Sequence, residues 1–202
     1  PGKPDVNHIS ITPRADSHIV LVIPRTPHEG VEPGSTIELR MENVRGRFDF
    51  DNGKVSMNDV DFFFHGAPIH FNSGSVVVED SGRFALAVSE LEVKGLQINA
   101  NLRKIMPPMM AQFALRLDDG RPYYAKGDIQ IGWSGEKGEP AWCRWARTLV
   151  VFNDNSLKTG IPLEHIQGQL ENVRGWSNGL NLEVHGNIHI ASMSFMDQQI
   201  IE

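Results

Sequence analysis

Cysteine is almost absent from this chain of 202 residues, because Cys143 is the only one. No disulfide can therefore form within the chain, and the redox compartment stays open. Cys143 lies between Trp142 and Trp145, and no neighbouring motif would lower the pKa of its thiol. We expect a buried apolar residue rather than a reactive one.

Clusters of lysine and arginine interleaved with aromatic residues are also missing. The chain has 19 basic and 25 acidic residues, and the resulting net charge of -6 is spread along its length. Proteins that hold phosphate backbones concentrate positive charge on one surface. The composition therefore argues against a nucleic acid as partner.

Long apolar runs are missing as well. No run approaches the roughly 18 consecutive apolar residues of a membrane helix, and the opening PGKPDVNHIS is neither a signal peptide nor an anchor. A hydrophobic fraction of 40% beside 22% charged residues is typical of a folded chain. We expect any membrane contact to be made only through parts of a longer protein outside this chain.

The usual catalytic motifs do not occur either: there is no G-x-S-x-G elbow, P-loop, G-x-G-x-x-G or H-E-x-x-H. Paired carboxylates could in principle serve a glycosidase-like mechanism. The pairs in this chain fall on predicted solvent-facing strand positions or in loops, where a solvated carboxylate needs no catalytic explanation. They are Asp59 with Asp61, Asp118 with Asp119, and Glu136 with Glu139.

Histidine pairs suggest a metal site only at first sight. His185 and His189 are four residues apart, and His65 and His70 are five apart. On a strand such positions are separated by at least about 13 Å, too far to share one ion. The sequence therefore predicts no metal, no cofactor and no enzyme, and an uncharacterised hydrolase is only a third hypothesis.

What the sequence does contain is a strand pattern. From Thr36 onwards apolar residues alternate with polar ones, as in Ile37, Leu39 and Met41, and turn signals such as Asp51-Asn52-Gly53 recur every 8 to 12 residues or so. No spacing typical of a βαβ unit appears. The pattern predicts a mainly β fold: a long, curved, twisted antiparallel meander sheet, either groove-like or closed as a sandwich.

One segment departs from this pattern. Residues 101–117 (NLRKIMPPMMAQFALRL) place apolar side chains at spacings of three and four, which is typical of a helix. Proline is tolerated in the first turn of a helix but not in its middle. We therefore expect a short turn up to Met106 and one short α-helix near residues 107–118.

A repeat divides the strand pattern. The stretch that starts at Met41 (MENVRGRFDF) resembles the one that starts at Leu163 (LEHIQGQLENVRG), and both lead to a His-Gly pair. Matching Met41 to Leu163 aligns the His-Gly pairs better than matching the two identical ENVRG strings. We expect one continuous β-rich segment over 1–202, with repeat unit 1 at about 36–160 and the start of repeat unit 2 at about 161–202.

The passage GIPLEHIQGQLENVRG, the proline-punctuated NLRKIMPPMMAQF and the glycine-bearing AKGDIQIGW occur in an order that resembles the AsmA-like proteins of bacterial envelopes. The order of features resembles in particular the repeat region of the large planctomycete-type members. The resemblance extends from Ile37 to Met193 and rests on loose patterns of apolar and glycine positions. It also implies a likeness to the bridge-like lipid transfer proteins.

The resemblance implies a periplasmic, envelope-located segment of a longer protein that is anchored in the inner membrane. Its β units would build an apolar groove for phospholipid acyl chains, in lipid transport between membranes or outer-membrane maintenance. The expected partner is thus a phospholipid or another apolar ligand, and no catalytic residue is implied. The expected groove floor consists of Phe48, Phe50, Val60, Phe62, Phe64, Phe84, Leu86, Val88, Leu180, Leu182 and Val184.

An alternative function of a different class stays open. The chain could be a structural β-rich spacer or interaction module that binds no ligand. Exposed edge strands are expected at both ends of the sheet, and they would pair with neighbouring segments of the same protein or with a second copy. An open apolar trough favours the groove, whereas a closed and fully packed sandwich removes its physical basis.

Overall fold

A computed structural model shows one large antiparallel sheet that is not closed, with two short helices. The structure describes residues 8–24, 36–79, 81–106, 108–117, 120–134, 136, 139, 141–158, 160, 162–195 and 198–201. The expected helix start at Pro107 and the carboxylates Asp118 and Asp119 lie outside these residues. The mainly β meander is confirmed, and closure into a sandwich does not occur.

The strands are long, and most exceed ten residues. They are β1 Ile9–Ile11, β2 His18–Pro24, β3 Thr36–Asp51, β4 Lys54–Phe64, β5 Ala67–Val78, β6 Phe84–Gln97, β7 Pro122–Trp133, β8 Trp142–Lys158, β9 Pro162–Ser177, β10 Leu182–Phe195 and β11 Gln198–Ile201. The helices α1 Ala100–Ile105 and α2 Pro108–Ala114 lie between β6 and β7. Neither helix is long and apolar enough to cross a membrane.

Each strand from β3 to β11 pairs with the next one along the chain. At the first edge β1 and β2 share β3: β1 pairs with its second half, at Phe48 to Phe50, and β2 with its first half, at Thr36 to Glu42. At the other edge β11 pairs with β10 only from Ser192 to Phe195. The sheet therefore ends in two edges, as an open meander must.

The predicted Asn-Gly turn is confirmed. Asn52 and Gly53 have φ of 45° and 79° and join β3 to β4, as a two-residue hairpin with both central residues at positive φ requires. His65 and Gly66 make the same kind of turn between β4 and β5. The second His-Gly pair, at Gly186, lies inside β10 instead. The division into repeat units stays a prediction.

Bulges keep the apolar residues on one face. In β3 the apolar positions change from odd to even between Met41 and Val44, and Asn43 between them has φ of 54° with a register shift against β4. An extra residue in the left-handed conformation restores the alternation. Asn, Asp and His adopt this conformation most readily among residues other than glycine. The other such residues inside strands are Asp59, Glu90, Arg147, Asp154, His165 and Asn172.

Each copy of the repeated string ENVRG forms one of these bulges. Asn43 and Asn172 have φ of 54° and 52°, and the valine after each is buried, with 1% of Val44 and 5% of Val173 exposed. His165 and Ile166 in the related string EHIQG behave alike, with φ of 50° and 3% exposure. The three strings thus share a left-handed residue followed by a buried apolar one, whichever alignment describes the larger repeat.

Two apolar clusters occupy the same face of the sheet. The first has Val44, Phe48, Met57, Val60, Phe71 and Val88 at its centre and involves β3 to β6. The second is built around Tyr123, Phe152 and Ile166, with Leu117 packed against it. Tyr123 and Ile129, which touch different clusters, are an even number of residues apart on β7, so both point to one side. We call this side the apolar face and the opposite one the polar face.

The helical segment differs from the prediction of one helix near 107–118. The chain forms α1 before the prolines, because the Asn99 side chain caps it by accepting hydrogen bonds from the amides of Asn101 and Leu102. The second helix starts at Pro108 and ends at Ala114, short of the predicted end, because Leu117 pairs as an isolated bridge with Leu157 of β8. The segment is therefore two short helices tied to the sheet.

Candidate apolar trough and polar face

The apolar face carries a cavity of about 420 Å³ whose lining residues are all apolar. We call it the apolar trough. The lining side chains come from β2 to β7, six strands that would span about 24 Å if the sheet were flat. One cavity can touch all six only because the sheet curls. They are Ile19, Leu21, Leu39, Met41, Val44, Phe48, Phe50, Val55, Met57, Val60, Phe62, Phe64, Ile69, Phe71, Val76, Phe84, Leu86, Val88, Leu91, Ile129 and Ile131.

Eight of the eleven residues expected on a groove floor line this trough. Val60 and Phe48 are nearly inaccessible, whereas Phe50 at the rim is 36% exposed. Phe62 packs edge-on against Phe71 at a centroid distance of 6.3 Å. The eight are Phe48, Phe50, Val60, Phe62, Phe64, Phe84, Leu86 and Val88, and the structure brings them together in one place.

The other three expected floor residues lie elsewhere. Leu180 is in the turn between β9 and β10, where the Asn178 side chain accepts hydrogen bonds from the amides of Leu180 and Asn181. Leu182 begins β10, and Val184 follows it on that strand. Leu180 and Val184 are about half exposed. These positions belong to the opposite end of the sheet from the trough, because β8 and β9 intervene.

The expected floor contained no residue from β2, β5 or β7, and all three strands contribute to the trough. Ile19 and Leu21 come from a strand that reads as almost continuously apolar, so its inward face could not be chosen from the pattern alone. Ile129 and Ile131 alternate with polar residues, and that alternation was a usable signal. Phe63, the neighbour of Phe62 on β4, is 41% exposed and absent from the trough.

A chain of hydrogen bonds crosses the polar face near the bulges. His70 contacts Asp61 at 3.0 Å and Asn72 at 2.9 Å, and Asn72 donates to the Glu90 carboxylate. These bonds, with the Asn72 contact first, raise the pKa of His70 above its usual value. The chain continues from the Glu90 amide to Asp128 on β7.

The carboxylate and histidine candidates lie on this solvent-exposed surface. The side chain of Asp59 is 89% exposed and that of Asp61 is 58% exposed, while Glu136 and Glu139 are exposed in the segment after β7. His185 contacts Glu183 on the same strand at 2.7 Å, and His189 contacts Glu171 on β9 at 3.4 Å. Within the described ranges, no group of three or more metal-ligating side chains comes together.

Cys143 is half-buried and faces the apolar side of β8. Burial raises the pKa of its thiol to about 12. The thiolate form is therefore scarce at neutral pH.

No protein-family model, no curated protein and no solved structure matches this chain. The likeness to AsmA-like proteins thus stays a hypothesis that rests on the sequence patterns named above.

Proposed function

We propose that this chain is a non-enzymatic apolar-ligand module, in which the apolar trough holds acyl chains of phospholipids. The observation that carries the proposal is the trough itself: a cavity with only apolar lining on a sheet face that stays open. A concave apolar surface that is partly accessible on an open sheet face suits a ligand or a partner.

The size and lining of the trough favour a hydrocarbon. Its volume of about 420 Å³ falls in the range of small-molecule pockets. Such pockets normally include a few polar groups that orient the ligand, and here none of the lining residues supplies one. Burial of each CH₂ is worth about 0.8 kcal/mol, so an acyl chain gains affinity from contact area alone.

The wider role follows from the resemblance to AsmA-like proteins rather than from the trough. On that basis we propose that the chain is a segment of a longer periplasmic envelope protein anchored in the inner membrane. It would contribute to lipid transport between membranes or to outer-membrane maintenance, with the acyl chains in the trough and the polar face in water.

The test uses two neighbouring valines on opposite faces of β5. Val76 lines the trough, whereas Val77 is 39% exposed and does not line it. We expect Val76→Trp to fill part of the trough and to weaken binding of a fluorescent fatty acid by at least about tenfold, which is about 1.4 kcal/mol. Val77→Trp adds the same side chain on the other face and should bind like the unmodified chain.

Native mass spectrometry of protein purified from a lipid-containing extract gives the second readout. Phospholipid adducts should appear on the unmodified chain and on Val77→Trp, and they should be depleted on Val76→Trp. A chain that is consistently empty of lipid would overturn the proposal. So would equal fatty-acid binding by the two variants, provided that circular dichroism shows both to be folded.

A second candidate function is supported by the outer edge of β10. From Leu182 to Ile190 this edge pairs with no strand among the described residues, and Val184 and Ile188 on it are about half exposed. Unpaired edges of this kind accept another strand. A spacer that associates through this edge would show concentration-dependent dimers by analytical ultracentrifugation. Asn187→Pro, which removes a backbone donor from the strand, should abolish them.

A further inference from the structure

The polar face carries a second concave surface, a cleft of about 700 Å³ that extends over β7 to β10. Its side chains include Gln130, Arg144, Arg174, Trp176, Glu183 and His185. Gln130 lies between Ile129 and Ile131, which line the apolar trough. Successive residues on a strand point to opposite faces. The cleft therefore lies on the other side of the sheet from the trough.

Four of these residues form a row. Gln130 pairs with Arg144, Arg144 with Trp176, and Trp176 with Glu183, across four adjacent strands. Side chains at directly paired positions stand side by side, and four strands span about 14 Å. An amide, a guanidinium, an indole and a carboxylate are thus presented in sequence along one line.

The two arginines of the cleft have no carboxylate partner among the ion pairs of the described residues. The guanidinium carbon of Arg144 lies 5.2 Å from the centroid of the Trp142 ring, an attractive contact that restricts this side chain. Arg174 is on the same side of β9 as Trp176, two residues away. Both arginines are exposed. Their hydrogen-bond donors are available to a ligand.

The carboxylates of the cleft are already engaged. Glu183 accepts a hydrogen bond from the indole N–H of Trp176 at 2.7 Å and contacts His185 at 2.7 Å. Asp128, at the far side of the cleft, contacts Arg147 at 2.5 Å. The hydrogen bond to Glu183 also fixes the orientation of the Trp176 ring, which is 36% exposed. The cleft therefore offers a fixed aromatic surface beside two arginines, of which Arg174 interacts with Glu183 only through its charge and not as a close ion pair.

We propose that this cleft binds an acidic oligosaccharide, with one sugar ring against Trp176 and its carboxylate held by Arg144 and Arg174. Guanidinium groups suit planar carboxylates because they donate parallel hydrogen bonds. The remaining acceptor capacity of Glu183 and the amide of Gln130 suit sugar hydroxyls. A polyphosphate chain fits less well, because it has no ring to pack against Trp176 and no hydroxyl to donate to Glu183. This proposal is independent of the lipid function.

The probe is a trimer of α-1,4-linked galacturonate, titrated into the full chain and followed by calorimetry and by tryptophan fluorescence. The matched neutral probe is maltotriose. We expect the acidic trimer to bind at least about tenfold more tightly than the neutral one, the difference that one charge-assisted contact supplies. Arg144→Gln and Arg174→Gln should each abolish this preference, and Trp176→Leu should weaken both sugars.

Two controls distinguish a specific binding site from nonspecific electrostatic attraction. Arg40→Gln removes an exposed arginine that lies on β3, far from the cleft, and should leave binding unchanged. Circular dichroism should show that every variant folds, since the altered residues are exposed or half-exposed. Absence of binding at millimolar trimer, equal binding of the neutral trimer, or unchanged binding by both arginine variants would overturn the proposal. So would tighter binding of a single-stranded DNA oligonucleotide at the same residues.

Discussion

Arg147 Nε on β8 donates a hydrogen bond of 2.5 Å to Asp128 Oδ2 on β7. The other oxygen of that carboxylate accepts a hydrogen bond of 3.0 Å from the amide of Glu90 on β6. Both Glu90 and Arg147 are bulge residues at positive φ. Asp128 therefore joins two bulges on the strands that flank it, and these bulges contribute to the curl of the sheet around the trough.

Removal of this carboxylate should destabilise the sheet. We expect Asp128→Ala to lower the free energy of unfolding by about 0.5 to 1.5 kcal/mol, because the Glu90 amide loses its side-chain acceptor. Arg147→Gln should cost less, because an exposed ion pair is screened by water. Urea denaturation measures both. An equal loss for the two variants would contradict the assigned role of the Glu90 amide.

The Asp128 carboxylate should also make the stability of the chain depend on pH. The hydrogen bond from Arg147 is the main cause that holds the pKa of Asp128 below its usual value. A depressed pKa adds stability that is present above the unfolded-state value near 4 and is lost as the pH falls through the folded-state value. The urea midpoints of the unmodified chain and of Asp128→Asn should therefore differ at pH 7. At pH 3 the two midpoints should lie closer together.

His70 should show the opposite dependence. Its raised pKa, caused first by Asn72 and then by Asp61, adds stability that is present below the usual value near 6.5 and is lost as the pH rises through the folded-state value. Thermal unfolding from pH 5 to pH 9 should show this loss in the unmodified chain and not in His70→Gln.

A matched control for His70 is His18→Gln on β2, which changes an exposed histidine of a different strand. This variant should keep the pH profile of the unmodified chain. If His70→Gln also kept that profile, the contacts with Asn72 and Asp61 would not govern the titration.

The bulge at Asn43 predicts which side chains the position tolerates. Asn43→Val should cost about 1 to 2 kcal/mol, because a β-branched residue is strained in the left-handed conformation, whereas Asn43→Gly should be nearly neutral. Asn58→Val on the adjacent strand β4 has no positive φ to maintain and serves as the control. Equal costs for the two valine variants by urea denaturation would contradict the bulge assignment.

The thiol of Cys143 should react slowly. With its pKa raised to about 12 by burial, the thiolate fraction at pH 8 is small. We expect alkylation by iodoacetamide to be at least about a hundredfold slower in the folded chain than in the same chain unfolded in urea. Mass spectrometry follows the alkylation. Similar rates in the two states would show that the folded chain does not protect the thiol.

Local chemistry in the sequence determined the class of fold and much of the trough. Period-two alternation predicted the antiparallel meander, and Asn52-Gly53 predicted a turn because few other residues adopt positive φ at both positions. Eight of the expected floor residues followed from the same alternation. These features depend on neighbours in the chain, which a sequence displays directly.

Tertiary structure decided what depends on distant residues. The bulges were hidden because a residue such as Glu90 or Arg147 has no intrinsic preference for positive φ, and partners on other strands hold each in place. The repeated Glu-Asn-Val-Arg-Gly string was a visible signal, but its meaning needed the backbone of Asn43 and Asn172. The position of Leu180 and Val184 away from the trough likewise depends on the order of the strands, which the sequence does not display.

The polar cleft is the clearest case. Gln130, Arg144, Trp176 and Glu183 come from four strands, and no spacing in the chain announces that they form one row. The alternation of Gln130 with Ile129 and Ile131 did indicate that this residue faces away from the apolar side. Only the pairing register, fixed by the bulges and the hairpin turns, decided which of them became neighbours.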